Sequence, residues 1–118
     1  MARQGRHGLR CGGRFREIVA FHCQQAVEKY LKALLVRRQI EFPKTHNIAK
    51  LLDRVATVDA GIAESLRDAE ALTPFGVETR YPSDAPEVLP GGEVEAIGMA
   101  RMVRNAVMIS LQPYLDQE

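Results

Sequence analysis

The chain has 118 residues, 46% of them hydrophobic and 26% charged, which is the composition of one globular domain. Its two cysteines and three histidines form no CxxC or HxxxH pair, no apolar run nears the ~18 residues of a membrane span, and no apolar h-region marks a signal peptide. These features exclude a disulfide scaffold and a dedicated zinc site and make a reducing cytoplasm the expected compartment, while the net charge of +1 hides five arginines and no acid in residues 1–16 ahead of a mildly acidic body, which excludes bulk electrostatic attraction of nucleic acid to that body.

Residues 1–13, MARQGRHGLRCGG, hold four glycines and no apolar period. Glycine at this density opposes a helix, so the stretch reads as an irregular Gly/Arg tail and residues 14–118 as the folded domain. From Arg14 to Gln39 there is neither Gly nor Pro. On a helical wheel Val19, Cys23, Val27, Leu31, Leu34 and Leu35 fall within an apolar arc of about 200°, wide enough to touch two neighbours. His22, Gln25, Lys29 and Lys32 gather on the opposite side as a polar stripe. Such donors on a rigid rod suit phosphate or base edges; the alternative is a solvated face with Glu28 pairing to Lys32 across one turn.

Beyond Pro43, Thr45 reads as the N-cap of a helix carrying Ile48, Leu51, Leu52 and Val55. His46 then sits at a helix start, where amides and the dipole receive an anion and favour a neutral imidazole. Ala60-Gly61 breaks the period, and a third helix is predicted from Ile62 to Leu72, stopped by Thr73-Pro74. Residues 75–92 read as a long extended connection holding Pro82, Pro86 and Pro90, of a length that is often functional. Within it Arg80 offers a fork of donors and Tyr81 a stacking surface, or else the pair forms a rigid strap. The last helix is predicted from Glu93 to Leu111, closed by Pro113. Its methionines Met99, Met102 and Met108 lie off the arc of Ala100, Val103 and Val107, which suits adaptable packing or a homodimer seam. Strand signals are weak throughout. The predicted fold is all-α: an antiparallel up-and-down bundle of four to five helices.

Three blocks carry a resemblance. They are FHCQQAVEKYLKALLVRRQIEFPKTHNIAKLL from Phe21 to Leu52, ETRYPSD from Glu78 to Asp84, and the A-x-x-x-A-x-x-V-x-x-x-V rhythm from Ala96 to Val107. Together they resemble the HEPN domain. The resemblance implies a helical bundle, often dimeric, frequently partnered with a minimal nucleotidyltransferase as a toxin–antitoxin pair, with nucleotide binding in some members and metal-independent ribonuclease activity in others. The family's ribonucleases carry an Arg followed after four to six residues by His near the last helix. Arg101 and Arg104 have no such His after them, so that activity does not carry over. The family also opens with an amphipathic helix ahead of the Phe21 block; here the Gly/Arg stretch stands in its place, consistent with a misplaced start or a frame slip.

The resulting expectation is a nucleotide- or nucleic-acid-binding module, partner of a minimal nucleotidyltransferase and a homodimer, binding through His22, Gln25, Lys29, Lys32, His46, Arg80 and Tyr81. It implies no cofactor, no metal and no membrane contact. The alternatives are a metal-independent nuclease using His22 or His46, and a non-catalytic assembly subunit.

Overall fold

A computed structural model describes the backbone of residues 2–76 and 87–116, with side chains from Phe15 onward. Helix α1 spans Ala2–Arg37, α2 Ile48–Ala56 and α3 Ala60–Ser65; a 3-10 helix follows over Arg67–Gly76, and α4 spans Gly92–Leu115. No strand occurs among the described residues. The all-helical bundle expected from the sequence is what forms.

Helix α1 is the spine. Its 36 residues, at 1.5 Å each, account for the 55 Å long axis of the molecule. Residues 2–13, expected to be irregular, continue the helix. Propagating an existing helix needs no new nucleus, so the cost of each glycine, about 1 kcal/mol, is met without a nucleation penalty. The carboxyl end comes two residues earlier than expected. Gln39 adopts a left-handed φ of 58°, and Ile40 N–H donates to Leu35 O at 2.9 Å, which satisfies a terminal carbonyl and turns the chain back along α1.

The core follows the predicted arc. Val27, Leu31, Leu34 and Leu35 of α1 are buried against Ile48, Leu51, Leu52 and Val55 of α2 and Val103 and Val107 of α4. Cys23 joins this core, and burial pushes its thiol pKa up, away from the reactive thiolate. Helices α1 and α4 run parallel rather than antiparallel. Arg16 meets Glu93 (3.7 Å) and donates to Val88 O (2.9 Å) at one end, while Arg37 stacks at 3.9 Å over the Tyr114 ring at the other. The 38–47 segment brings the chain back from the end of α1 to the level of Gln24 and Glu28, where His46 meets both.

Three local expectations are corrected. The N-cap of α2 is Asn47, whose side chain accepts from Lys50 N–H (3.3 Å), whereas Thr45 Oγ accepts from Asn47 N–H (3.0 Å) and sits outside the helix. Asn47→Ala should therefore lower stability by about 1 kcal/mol in a urea melt; a larger loss from Thr45→Ala than from Asn47→Ala would restore the sequence reading. The single helix predicted over 62–72 is split. Leu66, Ala69, Leu72 and the half-buried Phe75 recur every third residue on the core side, the period of a 3-10 helix, and that geometry carries Pro74 within it. Helix α4 continues past Pro113 to Leu115. The proline removes one N–H late in the helix, and the Arg37–Tyr114 stack holds the final turn.

Gly91 caps α4 with φ 93°, a conformation that favours glycine. Its N–H donates to Glu93 Oε1 at 2.9 Å, so Glu93 serves both the helix start and Arg16.

Candidate functional site

The network is built on two polar side chains that face the core. Gln24 and Glu28 of α1 are 0% and 1% exposed. Gln24 lies within the apolar arc, between Leu31 and Leu35 on the wheel, and Glu28 borders it. A buried polar group must be paired, and both are. Gln24 Nε2 donates to His46 O at 3.0 Å, and Gln24 Oε1 accepts from Gln25 Nε2 at 2.8 Å. Glu28 Oε2 faces Lys32 Nζ at 3.3 Å, and Glu28 Oε1 faces His46 Nδ1 at 2.6 Å.

Burial alone would push the Glu28 carboxyl up. The His46 hydrogen bond and the Lys32 charge outweigh it, and the net direction is downward. Glu28 is thus a carboxylate, which only accepts. His46 Nδ1 must then carry the proton that it donates, and the tautomer is fixed from below. The His46 side chain is two-thirds exposed, which leaves Nε2 for an outside partner. In the neutral ring that atom accepts; in the protonated ring it donates.

The expected site residues therefore fall into three groups. His46, Lys32 and, through Gln24, Gln25 are brought together where α1 meets the 38–47 segment. His46 does not open a helix as expected: α2 begins at Ile48, and the buried carboxylate, rather than amides and dipole, governs the ring. His22 and Lys29 stay on the outer face of α1, both exposed; the His22 ring packs edge-on against Phe21 with centroids 5.4 Å apart. Arg80 and Tyr81 lie outside the described residues. The polar stripe is thus half outward and half tied to inner partners. Sequence reasoning missed Gln24 as a site residue and placed the Glu28–Lys32 pair, which does form at 3.3 Å, on a solvated face although Glu28 is buried; the wheel position of Gln24 was the available signal.

Gly76, where the 3-10 helix ends, packs directly on Gln24. A Cβ there would stand 2.6 Å from Gln24 Cδ, so the absence of a side chain is what lets the two elements close. An apolar cavity of about 260 Å³ lies elsewhere, lined by Ala20, Leu72, Phe75, Val88, Ala96 and Met99 with Glu87 and Glu95 among its polar lining. None of the expected ligand residues among the described ones lines it.

Neither the comparison with curated proteins nor that with solved structures gives a match. The family scan does: the profile described as HEPN domain matches residues 7–110, a span that takes in the buried Gln24–Glu28 pair, His46 and all of the helical core, and on this match the chain belongs to the HEPN domain family.

Proposed function

We propose that this HEPN domain binds a nucleotide or a nucleic-acid segment at the corner formed by His46 and Lys32, and works as the partner of a minimal nucleotidyltransferase in a toxin–antitoxin-type pair. Family membership supports a nucleotide- or RNA-related module in general terms. The observation that carries the ligand reading is the His46 ring, anchored by Nδ1 on a buried carboxylate with its other nitrogen outward. Preorganising one recognition group in this way lowers the ordering cost of binding. Lys32 shares the same carboxylate, and Lys29 is one turn away on the exposed side. The pairing with a nucleotidyltransferase rests on the family alone.

Titration of the full chain with ATP and with a short single-stranded RNA, at two salt concentrations, tests the reading. Saturable binding should weaken about tenfold in His46→Ala, the equivalent of ~1.4 kcal/mol, and by less in Lys29→Ala. A flat response to both ligands would sink it. A second reading, a metal-independent nuclease, draws on the same fixed tautomer, because an outward Nε2 lone pair is what a general base needs. RNA cleavage that survives a chelator and disappears in His46→Ala would favour it over binding alone.

A further inference from the structure

Helix α4 buries one side and leaves a second apolar line outside. Ala96, Val103 and Val107 face the core. On the outer side Val94, Ile97, Met108 and Leu115 are 67%, 37%, 40% and 44% exposed. These positions, with Arg101 and Arg104 between them, step by three, four or seven residues, the spacing of a seam between paired helices. Of the three methionines expected at a seam, Met99 and Met102 pack against the core and Met108 alone faces outward.

The charges at the middle of the line select the occupant. Arg101 and Arg104 are both exposed, and neither has an acidic partner among the described residues; Arg104 bonds only its neighbour, Asn105 Oδ1, at 3.2 Å. A second copy of this chain, laid parallel or antiparallel along the line, sets guanidinium against guanidinium at its centre, a like-charge cost that grows as water is excluded. An anionic bilayer fits poorly too. In a helix lying on a membrane the cations flank the apolar face at headgroup level, whereas on the helical wheel Arg101 falls between the apolar positions and Arg104 at their edge. We propose that the outer face of α4 docks an amphipathic helix of another protein, apolar at both ends of its contact line and acidic in the middle. Its carboxylates would pair with Arg101 and Arg104 while its apolar ends cover Val94–Ile97 and Met108–Leu115.

Fluorescence anisotropy of the full chain tests this with two labelled helical peptides, alike in leucines at the outer contact positions, one with glutamates and one with lysines at the central pair. The glutamate peptide should bind at least about tenfold tighter, a difference of ~1.4 kcal/mol. The Arg101→Glu/Arg104→Glu variant should reverse that preference, and Met108→Glu should weaken the glutamate peptide. All three positions are exposed, so circular dichroism of the variants should match the parent. Equal affinity for the two peptides, or binding of neither, overturns the proposal. So does co-sedimentation with anionic phosphatidylglycerol vesicles that the same variants abolish, or a dimer in sedimentation velocity that Ile97→Glu dissociates.

Discussion

Replacing His46 and Lys32 together by alanine should lower folding stability by about 3 kcal/mol at neutral pH, the cost of leaving a buried charge without its partners. The loss is no larger because His46 is largely exposed and water already screens its side of the pair. Glu28 is 1% exposed and has one cationic or imidazole partner on each oxygen; with both gone only burial acts on it. The sign of the pH dependence then inverts. In the parent the folded carboxyl lies below its ordinary value of 4.5, because the His46 bond and Lys32 outweigh desolvation. Its contribution is complete above that ordinary value and is lost as the pH falls through the folded one. In the double variant desolvation raises the folded carboxyl above the unfolded value. Its stability is then least at neutral pH and recovers as acid protonates the buried group. Urea melts between pH 3 and pH 7 should show opposite slopes for the two proteins, and Glu28→Gln, which does not ionise, should remove this contribution to the slope. Slopes of the same sign, or a loss under about 1 kcal/mol at pH 7, would mean that Glu28 is solvated in some way other than through these two side chains.

The wheel of α1 made most of the core legible, because Val27, Leu31, Leu34 and Leu35 repeat with a helical period that no strand could share. The same wheel placed Gln24 inside the arc, and residue type alone hid its burial. The Glu28–His46 contact was beyond sequence reasoning for a different reason. It joins residues 18 positions apart and depends on where the chain turns back after α1. That turn rests on Gln39 at φ 58°, a residue type that does not announce a left-handed conformation as glycine would. The choice between Thr45 and Asn47 as the cap was equally closed, since both types cap well and backbone geometry decides. The 3-10 helix was legible in principle from the period of three through Leu66, Ala69, Leu72 and Phe75, which a 3.6-residue reading of the segment smooths over. Arg80 and Tyr81 fall outside the described residues, and the expectation that they bind a ligand rests on the sequence.

Gly76→Ala should destabilise the fold by about 2 kcal/mol, combining overpacking with loss of a buried hydrogen bond. The new methyl would meet Gln24 Cδ, Nε2 and Oε1 at 2.6, 2.7 and 2.8 Å, well inside contact distance. A side-chain end usually swings away from such a clash. Gln24 is fully buried, and its amide already serves His46 O and Gln25 Nε2, so moving it strands polar groups. The double-mutant cycle with Gln24→Ala isolates this cause. If the methyl acts through the Gln24 amide, Gly76→Ala should cost little in the Gln24→Ala background, giving a coupling of about 1–2 kcal/mol. Additive losses would instead place the damage in the backbone of the 3-10 helix. The same substitution bears on function, because Gln24 holds the His46 carbonyl while Glu28 holds its ring. Loosening only the carbonyl should weaken nucleotide or RNA binding less than His46→Ala does, and a Gly76→Ala protein that binds as the parent does would show that the ring anchor on Glu28 suffices to position the imidazole.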